Sequence, residues 1–129
     1  MYVVVCKDLP PHHQAVQAVH AGIDAGRFLV PESCEIPYLV LLTVPSQSDL
    51  VKLSVHLGKY GVCHRVFVED DMGGRPTALS TEPIAKEDTE KRKLFKGLKA
   101  YRVSSSENGE TRQAERRPAM PGVEGSIPS

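Results

Sequence analysis

The stretch from Tyr2 to Gly26 limits the fold most sharply. Tyr2-Val3-Val4-Val5 is an unbroken apolar run rich in β-branched residues, the pattern of a strand buried on both faces. It stops at Lys7, Asp8 and the Pro10-Pro11 pair, which can neither extend a ladder nor enter a helix interior. A helical pattern follows. Val16, Val19 and Ile23 recur at spacings of three and four and are expected to face the core, while His13, Gln17, His20 and Asp24 form a hydrogen-bonding stripe along the flank. Open α/β sheets place their sites where a strand's C-terminal end meets such a helix. This junction is therefore the expected functional centre.

The rest of the chain repeats the alternation. Gly26 to Pro37 reads as a connector and Tyr38 to Val44 as a second buried strand, halted by Pro45. Ser46-x-x-Asp49 has the form of a capping box, opening a helix with a Leu50, Leu53 and Leu57 stripe that Gly61 would end in the left-handed conformation. Val62 to Val68 is a third strand, Glu69 to Pro76 an acidic, glycine-bearing turn, and Thr77 to Thr81 a fourth strand pairing antiparallel with the third. Glu82-Pro83 would open a last, charged helix ending at Leu94, Phe95 and Leu98. The order β-α-β-α-β-β-α, with right-handed crossovers, implies a mixed four-stranded sheet with helices packed on it.

The chain has 129 residues and a formal net charge of zero, enough for one domain over residues 1–102 and too balanced to coat nucleic acid by net charge alone. Residues 103–129 are polar and rich in Gly and Pro, and are expected to form a disordered tail. Cys6, Cys34 and Cys63 are odd in number and lack metal-type spacing, which reads as buried cytosolic thiols. The opening residues lack the layout of a signal peptide and no apolar run reaches spanning length, so a cytoplasmic protein is expected.

Lys7-Asp8-Leu9 followed by Gln17-Ala18-Val19-His20-Ala21 resembles the first strand and helix of the type II, archaeal and eukaryotic-type, peptidyl-tRNA hydrolases. Thr77 to Pro83 resembles that family's late strand, and Lys93-Leu-Phe-Lys-Gly-Leu98 the basic-apolar end of a divergent compact branch. The three segments run in register over roughly residues 1–101. The resemblance implies a three-layer α/β/α sandwich and a metal-independent hydrolase, without cofactor or membrane, that cleaves the ester between a peptide and tRNA. Peptidyl-tRNA would be its partner, and a homodimer is admitted. Carried over residue by residue, it marks His13, Gln17, Asp70 or Asp71, and Thr77 as catalytic, and Asp8 and His20 as substrate-binding. His13 stands where the family has a lysine and Cys6 where it has an arginine, and both the first loop and the acidic turn are shortened.

The chemistry such a site needs is a water made nucleophilic and donors aimed at a developing oxyanion. A carboxylate at Asp70 or Asp71 would serve the first, and His13, Gln17 and the Thr77 hydroxyl the second. Lys91, Arg92, Lys93 and Lys96 would contact phosphates. Plainer readings stand beside these: Asp70-Asp71 as a surface turn, Asp8 as a cap, Gln17 and His20 as a polar flank, and the basic run as a solvated helix face. Two other functions stay open: a weak or inactive relative binding RNA or a protein partner through the same groove, and a small regulatory α/β module.

Overall fold

A computed structural model describes residues 1–102; the expected tail at 103–129 lies outside the described residues. The domain is α/β. Its strands are β1 (Tyr2–Cys6), β2 (Val40–Val44), β3 (His64–Glu69), β4 (Arg75–Thr81) and β5 (Lys99–Ala100); its helices are α1 (Pro11–Phe28), α2 (Gln47–Lys59) and α3 (Thr89–Arg92). They form one mixed sheet in the order β3-β4-β1-β2-β5. β1 and β2 are parallel, while β1–β4, β3–β4 and β2–β5 are antiparallel.

Among the described residues the sheet has five strands, not the four expected. Lys99-Ala100 pairs with Leu42 and Thr43 as a short edge strand, too brief to carry a periodic signal. The long last helix also gives way. Only Thr89–Arg92 is α-helical, followed by a 3-10 turn at Lys93–Phe95. Phe95 is buried with its ring stacked on Tyr2 at 4.0 Å, and Leu94 and Leu98 pack partly buried against the core beside it.

Register explains why β1 is buried on both sides. Phe67, Ala78, Val5, Thr43 and Lys99 are successive cross-strand partners and so share one face. Phe67 packs against His20, and Arg65, two positions earlier, pairs with Asp24, so this is the face that α1 covers. The other face belongs to α2, whose Ser54 bonds His64 at 2.8 Å. Leu50, Leu53 and Leu57 of α2 are buried as expected, each contributing about 1.5–3 kcal/mol by burial. The Ser46 hydroxyl accepts the Asp49 backbone N–H, the N-cap half of the expected capping box, while the Asp49 carboxylate accepts from the hydroxyl itself. Gly61 takes φ +73°, as that helix end requires.

α1 presents the opposite face to the one expected. Val16, Val19 and Ile23 point to solvent, and Gln14, Gln17, Ala18, Ala21 and Ala25 are buried. The buried set still obeys helical spacing, but with small and amide side chains. Alanines let the helix lie close on the sheet, and Gln14 satisfies its amide by donating to the carbonyls of Lys7 (3.1 Å) and Leu9 (2.7 Å).

Candidate functional site

Between α1 and the β3–β4 hairpin lies a buried polar chain. Thr77 Oγ1 donates to Gln17 Oε1 at 2.8 Å, and Gln17 Nε2 donates to Glu69 Oε1 at 2.8 Å. Gln17 is 3% exposed and Thr77 fully buried. The local irregularity that aims Thr77 is visible in the register: Phe67 pairs with Ala78 and Val68 with Pro76, leaving Thr77 without a cross-strand partner. Such a bulge re-aims one side chain. Here the threonine of β4 is turned onto the helix glutamine.

Glu69 ends β3. One carboxylate oxygen holds Gln17; the other accepts the Asp71 amide at 3.5 Å as the next 3-10 turn begins. The Gln17 bond chiefly holds the Glu69 carboxyl below its ordinary pKa; partial desolvation opposes this, and the Asp71 amide, His20 and His13 add to it. Glu69 is thus a carboxylate at neutral pH. His13 lies one turn before Gln17 with a buried Nδ1 that has no hydrogen-bond partner among the described residues. His20 lies on the same stripe, its ring 5.0 Å from Phe67.

The top of this cluster is closed by an ion pair between Arg75 and Asp8. Arg75 also acts on the Cys6 thiol, and its Nε is buried without a hydrogen-bond partner among the described residues. Burial, followed by the charge of Asp8, pushes the Cys6 thiol up to about 11, against the pull of Arg75. Cys6 is therefore a neutral core thiol and no nucleophile at ordinary pH.

The expected site residues divide clearly. Gln17 and Thr77 are in direct contact, His13 and His20 act on the Glu69 carboxylate by charge from the same helix, and Asp8 pairs with Arg75. Asp70 and Asp71 are exposed in the turn, and neither side chain makes a hydrogen bond or ion pair among the described residues. The carboxylate delivered to the cluster is Glu69, which sequence reasoning passed over as the start of a turn. Its signal was period two: Arg65, Phe67 and Glu69 share the face that meets α1. Arg75 was missed likewise, as a turn residue.

The basic segment is placed apart from this cluster. Glu82 follows the end of β4 opposite Arg75 and pairs with Lys91 at 3.4 Å; Asp88 lies 4.0 Å from the same ammonium. Lys93 pairs with Glu90 at 3.6 Å, Arg92 donates to the Lys86 carbonyl at 3.0 Å, and Lys96 is exposed. Among the described residues no three His, Cys, Asp or Glu side chains gather as a metal site, and no helix is long and apolar enough to cross a membrane. The sequence matches no protein-family model and no curated protein.

Proposed function

We propose that the domain hydrolyses the ester linking a peptide to tRNA, at the cluster of His13, Gln17, Thr77 and Glu69. One observation carries the reading: folding draws Gln17 and Thr77, the positions the resemblance singles out, into direct contact across 60 residues and sets a carboxylate against them. The mixed five-stranded sheet with a helix on each face is compatible with a general α/β fold.

In this reading Glu69 orients a water and takes its proton as the oxygen attacks the ester carbonyl, an effect worth roughly 10²–10⁴-fold. The acyl carbon gains the water oxygen, the bond to the tRNA 3′ oxygen breaks, and that oxygen leaves with the proton. Gln17 is held in one orientation by Thr77, and with His13 it donates to the developing oxyanion, roughly 10²–10³-fold per donor. Glu69 takes the role that the acidic turn would otherwise assign to Asp70 or Asp71.

The test is release of free tRNA from N-blocked aminoacyl-tRNA. Wild type should turn over, Glu69→Gln should lose roughly 10²-fold or more, and Asp70→Asn and Asp71→Asn should stay within about twofold. Tight tRNA binding without release would instead assign the groove to binding alone.

A further inference from the structure

α1 divides its face of the sheet. On one side lies the Gln17 cluster. On the other, over β1, β2 and β5, is a recess of about 290 Å³ lined by Lys7, Gln14, Thr43, Lys99, Ala100 and Arg102. Thr43 and Lys99 are cross-strand partners on the face that α1 covers, and Lys7 follows β1 directly, its N–H bonded to the Val44 carbonyl. Three cations therefore line one cavity that no carboxylate among the described residues lines. Among the described residues none of the three is ion-paired, whereas Lys91 and Lys93 both are.

The polar atoms beside the cations are also selective. Both hydrogens of the Gln14 amide are committed to the Lys7 and Leu9 carbonyls, so the side chain offers only its oxygen. Thr43 gives its hydroxyl hydrogen to the Lys99 carbonyl at 3.2 Å and likewise offers only lone pairs. A bare anion would satisfy the cations and be repelled by these oxygens. A ligand that carries an anion and hydroxyl hydrogens together satisfies both.

We infer that this recess holds the phosphate and ribose of a single ribonucleotide, with the phosphate on Lys7, Lys99 and Arg102 and sugar hydroxyls donating to Gln14 and Thr43. The volume suits one nucleotide, at the small end of ligand sites. The inference rests on the recess alone and holds whether or not the neighbouring cluster cleaves an ester. A free nucleotide and one unit of an RNA strand share this chemistry.

The experiment titrates the full chain with adenosine monophosphate, its 2′-deoxy counterpart and inorganic phosphate, and separately with a labelled single-stranded RNA. Wild type is compared with Lys7→Ala/Lys99→Ala/Arg102→Ala and with Lys52→Ala/Lys59→Ala, exposed lysines of α2, as a control. All three recess cations are exposed, and unchanged thermal melting would show that the variant folds. The ribonucleotide should bind at least tenfold tighter than phosphate and measurably tighter than the deoxynucleotide. The recess variant should lose at least tenfold, and the control less than twofold. RNA binding more than tenfold tighter than the mononucleotide assigns the site to a strand; comparable or weaker RNA binding assigns it to a free nucleotide. Equal affinity for all three small ligands, no binding of any ligand, or an unaltered recess variant overturns the inference. Because none of these readouts involves ester cleavage, failure here is distinct from failure of the hydrolysis assay.

Discussion

Gln17 is the residue on which the site turns, because it is at once acceptor for a buried hydroxyl and donor to a carboxylate. Gln17→Ala strips both. The Thr77 hydroxyl keeps only a 3.5 Å approach to the Phe67 carbonyl, so the change should cost about 1–3 kcal/mol in denaturant unfolding. Glu69 should also regain an ordinary titration, since Gln17 is the chief cause of its depression; carbon-detected NMR of the carboxyl would read this directly. Thr77→Val, which keeps the shape but removes the donor, should be milder in stability yet still lower tRNA release, because an untethered amide no longer holds its donor on target. His13 supports a change in the other direction. Its buried Nδ1 has no partner among the described residues, and a lysine there would supply a permanent positive charge beside Glu69 and the reacting ester. His13→Lys is expected to raise the rate of release from blocked aminoacyl-tRNA; a rate at or below wild type would remove His13 from the oxyanion role.

At the scale of elements, α1 shows what a sequence discloses and what it conceals. The helix, its proline start and its stripe of His13, Gln17, His20 and Asp24 were legible, because periodicity and proline chemistry are local. Which stripe faces inward was not. Hydrophobicity favours Val16, Val19 and Ile23, but the sheet beneath admits a closely laid helix, and Ala18, Ala21 and Ala25 answer that demand. A buried glutamine reads as surface until its partners are known, and those of Gln17 lie 52 and 60 residues away. The same distance hid Glu69 and Arg75. The packing makes a sharp prediction: Ala21→Leu should cost about 1–3 kcal/mol by overpacking, while Val19→Lys should change stability by less than about 0.5 kcal/mol. Chemical denaturation of the two variants would decide which face is inside. In α2, where local and tertiary preferences agree, Ser46→Ala should cost about 1 kcal/mol through the lost cap.

For the whole molecule, the Glu69 carboxyl and the Cys6 thiol tie stability to pH at opposite ends of the scale, and their signs differ. Glu69 has a lowered value in the fold, so its contribution is complete above the ordinary glutamate range and is lost as pH falls through the folded value. Cys6 works at the alkaline end. Its folded value is about 11 against 9.0 for a free thiol, so the fold favours the neutral form. That contribution is complete below pH 9 and is lost progressively between about 9 and 11, because only the unfolded chain gains by ionising there. Its size is on the order of 2 kcal/mol. Stability curves of wild type and Cys6→Ala should therefore converge as pH rises from 9 to 11, even though the variant is weaker at neutral pH from its small cavity. Thiol labelling gives an independent check on the same burial. Cys34 and Cys63 are exposed and Cys6 is buried, so a disulfide reagent on the native chain should modify two thiols quickly and the third only at the rate of unfolding. Prompt labelling of all three at neutral pH would mean that β1 is not the closed centre of this sheet.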